Sequence, residues 1–171
     1  EDVCTLTIDT SGVGLHKRGY RDHVGEAAMK ETLAAGLVLL SVWNPERALV
    51  DPFCGSGTIP IEAAMIGMNM APGRTRDFDS AHWPQVPQEA WDRADEEAAD
   101  VAKNKLPVTI HASDISEDAI ALARRHAAAA YRRRIRRGRG NTGAGCRAGH
   151  GRRRGQRCPD RLWAADRFLR Q

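Results

Sequence analysis

The stretch Asp51-Pro52-Phe53-Cys54-Gly55-Ser56-Gly57-Thr58 decides how the chain is read. Ahead of it, Ala48-Leu49-Val50 has the character of a short buried strand ending at Asp51. Behind it, Thr58 to Met68 reads as a helix, with Pro60 in the first turn, where a missing N–H costs little. At the carboxyl end of such a strand the crevice is open, and the following helix aims its free N–H groups into it. Gly55 and Gly57 let the backbone approach a ligand that a Cβ would push away. Asp51 supplies a fixed negative charge suited to an ammonium group, and Thr58 a hydroxyl at the helix start.

Three cofactor classes compete for such a turn. A phosphate-cradling P-loop needs a Lys after its last Gly, and none is present. A dinucleotide fingerprint needs a third Gly where Pro60 stands, and the upstream pair Gly12 and Gly14 fails with Lys17 in that place. A carboxylate beside two glycines suits S-adenosylmethionine, which offers an amino group, a sulfonium and a ribose but no phosphate. A purely structural turn is the alternative. Further on, Ala112-Ser113-Asp114-Ile115-Ser116 follows a second expected strand, Val108 to Ala112. A carboxylate at that tip can accept the hydrogens of both ribose hydroxyls. Asp114 lies 63 residues past Asp51, against about 20 in the standard nucleotide unit. An insertion from about Asn69 to Lys105 accounts for the excess.

Outward from these motifs, Val3 to Asp9 alternates like a strand, with Cys4, Leu6 and Ile8 on one face. A Gly-rich loop follows from Thr10 to Gly19. Gly25 to Trp43 carries Met29, Leu33, Leu37 and Leu40 at helical spacing, predicting an amphipathic helix ended by Asn44-Pro45. Gln88 to Lys103 predicts an acidic helix. Ser116 is placed to cap the next one, with Glu117 and Asp118 at its positive end. Strands alternating with helices imply a parallel α/β sheet.

Residues 1 to 123 hold 10 Lys+Arg against 20 Asp+Glu, whereas residues 124 to 171 hold 16 Arg, no Lys and 2 Asp. After Arg125 the α/β grammar stops. The Arg- and Gly-rich end reads as a disordered tail that grips nucleic acid, as a solvated linker, or as a shifted reading frame in a GC-rich gene. The last explains most, since a tail evolved for phosphates would mix Lys with Arg. Four cysteines without a C-x-x-C pair give no metal centre or disulfide framework and fit a reduced cytoplasm. The longest apolar stretch, near Leu33 to Val42, is too short to span a bilayer.

Taken together, the sequence resembles the THUMP-associated class I RNA methyltransferases, closest to those that modify large-subunit ribosomal RNA at guanine N2. The likeness rests on Thr10-Ser11-Gly12, Leu15 to Arg21, Lys30 to Ala35, Asp51 to Thr58, Ile61 to Ala64, Ala71-Pro72-Gly73 and Ser113-Asp114-Ile115, and covers roughly residues 3 to 130. It implies a Rossmann-like sheet, incomplete here, with residues 1–24 ending a THUMP or linker region, 25–130 forming the first half of the methyltransferase domain, and 131–171 a tail. It implies S-adenosylmethionine as cofactor, held by Asp51, Pro52, Cys54, Gly55, Ser56, Gly57, Thr58, Asp114 and Ile115, and RNA as partner, with Lys17, Arg18 and Arg21 placed to meet its phosphates or to shape the cofactor site, a solvated basic loop being the alternative. Glu62 is placed to close over the site or to pair. The family's catalytic Asn-Pro-Pro-Tyr loop, which reads and stacks an extruded base, does not occur; Asn44-Pro45-Glu46 is a partial echo ahead of the cofactor turn. The chain is therefore expected to carry the cofactor half of a methyltransferase without the catalytic loop. The rivals are a DNA amino-methyltransferase, which uses the same octapeptide, and a non-catalytic RNA-binding module built on the Arg-rich end.

Overall fold

A computed structural model describes residues 2–21, 29–74, 76–137 and 163–164, the last two and 132–137 as backbone only. In chain order the elements are α1 (Glu31–Leu40), β1 (Leu49–Asp51), α2 (Thr58–Gly67), a short 3-10 turn (Asp79–His82), α3 (Gln88–Asp100), β2 (Ile110–Ala112), α4 (Glu117–Arg137) and β3 (Trp163–Ala164). The three strands form one parallel sheet in the order β1-β2-β3, with Asp51 opposite Ala112 and Ile110 opposite Trp163. The expected α/β class with parallel strands is what the chain adopts. Because β1 and β2 are adjacent and parallel, the two acidic turns that follow them emerge side by side.

The core is built from small and aliphatic residues, in keeping with so few aromatics. Val38, Ala63, Met68, Leu106 and Ile110 pack together, flanked by Trp43, Leu49 and Ile59. Tyr20, Ile61 and Met65 form a second cluster against Ala127, Ala129 and Ala130, and Cys54, Ala112 and Ala123 a third. Packing is close: a Cβ at Gly67 would lie 2.5 Å from Leu106 Cδ2.

Several expectations are corrected. Val3 to Asp9 forms no strand; Val3, Leu6 and Ile8 are largely exposed. A strand needs a ladder partner, and the segment finds none among the described residues. Instead the Thr10 carbonyl accepts from the Ser80 N–H and hydroxyl. The first helix begins at Glu31 and ends at Leu40, before Asn44-Pro45, and Val42 takes a positive φ of 59°; residues 25–28 of the expected helix lie outside the described residues. Its buried face is Glu31, Ala34 and Val38, not the leucine stripe: Leu33 is 56% exposed and Leu40 81%. Ala34 and Val38 let α1 approach α2 closely. β1 is only half covered, with Val50 exposed. The helix at the charge break does not stop at Arg125 but runs to Arg137, because Ala127, Ala129 and Ala130 keep an apolar stripe against α2 and Arg is a good helix former. Within the expected tail, Trp163 and Ala164 pair with β2; the remainder, 138–162 and 165–171, lies outside the described residues. No helix among the described residues is long and apolar enough to cross a membrane.

Candidate cofactor site

The turn from Asp51 to Thr58 is fastened to the neighbouring acidic turn by backbone bonds. The Ser113 N–H donates to the Asp51 carbonyl and the Cys54 N–H to the Ser113 carbonyl, each at 2.9 Å, and the Gly57 N–H closes on the Cys54 carbonyl at 2.8 Å. Gly55 (φ 52°) and Gly57 (φ 81°) are both left-handed, a conformation that side-chain-bearing residues adopt at a cost. A Cβ at Gly55 would meet nothing within 4 Å, so that side of the turn is open. Gly57 starts α2 without any side-chain cap.

The two carboxylates differ in their partners. Asp114 accepts from the Gly55 N–H through Oδ2 and from the Ser116 N–H through Oδ1, both at 2.9 Å. Each oxygen keeps a lone pair for a further donor. Ser116 caps α4 as expected, accepting from the Ala119 N–H at 3.3 Å. Asp51, at the tip of β1, takes the Phe53 N–H on Oδ1 at 3.2 Å. Burial pushes the Asp51 carboxyl above the usual carboxylate range, the Phe53 N–H pulls it back in part, and the nearby Asp114 charge raises it again. The Cys54 thiol is pushed up to about 11, first by burial and then by Asp51 and Asp114.

This arrangement selects the sign of its ligand. A phosphate on the turn would need free N–H groups and a neutral or basic surround. Here the Gly55 N–H already serves Asp114, and Asp51 and Asp114 lie close enough for one charge to act on the other. A group with an ammonium or sulfonium charge and hydroxyl donors fits; a pyrophosphate does not. Thr58 is buried with its hydroxyl 3.4 Å from that of Ser56, whereas Pro52, Phe53 and Ile115 are exposed beside the turn. The structure thus brings together Asp51, Pro52, Cys54, Gly55, Ser56, Gly57, Thr58, Asp114 and Ile115.

The basic segment is a different matter. Lys17 is exposed, but the Arg18 side chain is 10% exposed and pairs with Glu62 at 3.5 Å, donating also to the Leu15 carbonyl. The Arg21 side chain, 6% exposed, pairs with Glu31 at 3.3 Å and donates to the Met29 carbonyl at 2.7 Å. Arg18 and Arg21 therefore cannot offer their guanidiniums to RNA phosphates as the sequence suggested. They tie the upstream segment to α2 and α1. Glu62 does not close over the site; it also takes the Tyr20 hydroxyl at 3.0 Å. Burial raises its carboxyl above the ordinary value, with Arg18 and Tyr20 pulling the other way. Burial and the Glu62 charge drive the Tyr20 phenol well above its usual range. Sequence reasoning missed Tyr20, Glu31 and His126, whose ring reaches the Ser56 carbonyl at 3.1 Å from α4. A lone His in an alanine-rich helix carries no motif, so no signal pointed to it.

Comparison with known proteins bears on this geometry. Residues 18–136 match the model of the RMKL-like methyltransferase domain. Over 127 residues the chain is 51% identical to "Putative RNA methyltransferase YpsC" of Bacillus subtilis (strain 168), covering 74% of this chain and 33% of that protein. It is 44% identical over 131 residues to the ribosomal RNA large subunit methyltransferase K/L of Psychromonas ingrahamii, covering 74% of this chain and 17% of that protein. Among solved structures, a "predicted N6-adenine-specific DNA methylase" from Listeria monocytogenes superposes with a TM-score of 0.68 at 52% identity, over 71% of this chain and 32% of that one. "SMU.472, a putative methyltransferase complexed with SAH" does so with a TM-score of 0.66 at 45% identity, over 70% and 31%. The chain spans at most about a third of these relatives' length.

Proposed function

The chain belongs to the RMKL-like methyltransferase family, and from that premise we propose that it is the cofactor-binding part of an S-adenosylmethionine-dependent RNA methyltransferase. The observation that carries this reading is the placement of Asp51 at the tip of β1 and Asp114 in the turn after the adjacent β2, with the Gly55 N–H taken by Asp114 and the Gly55 face open. In this reading Asp51 holds the amino group, the free lone pairs of Asp114 take the ribose hydroxyls, and Gly55, Gly57 and Thr58 border the methionine end, with Ile115 beside the base. When bound, S-adenosylmethionine supplies a methyl group on a positively charged sulfur, open to in-line displacement by an amine. The negative crevice orients that cation and excludes competing phosphates.

The acceptor is proposed to be guanine N2 in large-subunit ribosomal RNA, which the names of the K/L relatives favour, with Lys17 as the exposed cation of the upstream segment and the cytoplasm as its location. Such an amine needs a side chain to accept its proton and a ring to stack on the base. No Asn-Pro-Pro-Tyr is present to do either, so this chain alone is proposed to bind cofactor without turning it over. Transfer to a DNA amino group is the second reading, favoured by the octapeptide and by the description of the Listeria structure.

Calorimetry of the full chain with S-adenosylhomocysteine tests the site: saturable heat supports it, and none at millimolar ligand overturns it. Fusing the remainder of the Bacillus relative after residue 137 and comparing methyl transfer to protein-free ribosomal RNA and duplex DNA separates the two acceptors. Transfer by the unfused chain would refute its inactivity.

A further inference from the structure

Ser56 sits between the two left-handed glycines of the turn, one residue before α2 begins its hydrogen-bond ladder. The Gly57 carbonyl starts that ladder, taking the Ile61 N–H at 3.0 Å. The Ser56 carbonyl lies ahead of the helix cap, so no amide of α2 is due to it by register, and Pro60 in the first turn takes nothing from it. A half-buried carbonyl outside the ladder needs a donor from elsewhere.

His126 supplies it. The ring is 2% exposed, and its Nδ1 lies 3.1 Å from the Ser56 oxygen. A carbonyl only accepts, so Nδ1 carries the proton, and in the neutral ring Nε2 is a bare acceptor. Nε2 is buried with no partner among the described residues, and the Tyr20 ring stands edge-on at 6.5 Å. The bond therefore fixes a tautomer as well as a position.

We infer that His126 is a positioning residue: it donates to the Ser56 carbonyl, which lies outside the α2 ladder, and holds the Gly55-Ser56-Gly57 turn in its open form. As a statement about cofactor affinity this rests on the function proposed above; as a statement about the turn it does not. The test uses the full chain with His126→Phe, which keeps a ring without a donor, and His126→Asn, which restores an N–H near the Nδ1 position. His126→Phe is expected to weaken S-adenosylhomocysteine binding about three- to tenfold, the worth of one net hydrogen bond, and to speed amide exchange at Gly55 and Gly57. His126→Asn is expected to bind and exchange like the parent. Packing alone predicts no such recovery from Asn, which fills less of the space than Phe. Unchanged binding and exchange in His126→Phe overturn the inference, as does failure of His126→Asn to recover them. If the parent binds no S-adenosylhomocysteine, the cofactor reading falls, and exchange at the two glycines alone decides the role of His126. If His126→Phe does not fold, the parent's imidazole 15N spectrum decides: a neutral ring protonated at Nε2 overturns the inference.

Discussion

Replacing Asp114 by Asn tests whether one carboxylate clasps the two acidic turns together. In the parent each oxygen takes one backbone N–H at 2.9 Å, from Gly55 on one side and Ser116 on the other. Bonds to an ionised acceptor contribute about 1.5–3 kcal/mol when buried. The Gly55 bond is partly buried and the Ser116 bond exposed, which places the first near about 1.5 kcal/mol and the second below about 1 kcal/mol. Asn offers a single carbonyl oxygen, so one bond survives and the new NH2 group faces the other N–H. With the repulsion included, the expected cost is about 1.5–2.5 kcal/mol, or a melting shift of roughly 3–6 °C for a domain of this size. Urea unfolding followed by circular dichroism reads it as a lower midpoint with an unchanged slope. Asp114→Ala, which loses both bonds, is expected to cost more than Asp114→Asn. A loss below about 0.5 kcal/mol in both variants would refute the clasp and leave Asp114 a solvated turn residue.

Arg18→Ala leaves Glu62 buried without its guanidinium and is expected to cost about 3 kcal/mol, mostly recovered by adding Glu62→Gln. Because burial raises the Glu62 carboxyl, its favourable contribution is present below the ordinary glutamate value and lost as pH rises through the raised one. Urea melts of Arg18→Ala at about pH 5 and pH 8 should therefore show the larger deficit at the higher pH; an equal deficit would count against the pair. Asp51 is also raised by burial, so the same sign holds: Asp51→Asn is expected to leave stability at about pH 7 unchanged or slightly improved while weakening S-adenosylhomocysteine about tenfold or more and adenosine, which has no amino-acid group, hardly at all. Equal losses for both ligands would move the amino group elsewhere. With its thiol pushed up to about 11, Cys54 holds roughly a thousandth of its population as thiolate at about pH 8. Iodoacetamide is expected to label exposed Cys4 well before Cys54 by peptide mass mapping; matched rates would refute the negative crevice.

What the sequence disclosed and what it hid follow from the range of the interactions. The turn at Asp51–Thr58 and the cap at Ser116 are local: the glycines, the proline and the serine act within a few residues, so their roles can be read in place. The parallel pairing of β1 and β2 follows from alternation of strands and helices. Arg18 and Arg21 were misread because Lys17-Arg18-Gly19-Tyr20-Arg21 looks like a surface basic loop until Glu62 and Glu31 are known to lie against it. The face of α1 was misread because hydropathy favours the leucines, whereas close helix contact favours Ala34 and Val38. Val3 to Asp9 carries a correct alternation, yet a strand is a property of two segments and not of one.

The charge distribution constrains how RNA can meet the proposed site. Residues 1–123 carry twice as many acids as bases, and two of those bases, Arg18 and Arg21, are neutralised in the interior. Phosphates gain little from such a charge balance, so on the function proposed above any RNA affinity of this part of the chain is expected to be only weakly salt-dependent. The crevice between Asp51 and Asp114 adds a local repulsion. A nucleotide approaching with its backbone foremost is turned away, while a neutral base extruded from the strand is not. On the function proposed above, the same two carboxylates that would draw a cationic cofactor would also favour base-first entry of the acceptor, with strong phosphate contacts made outside the acidic segment.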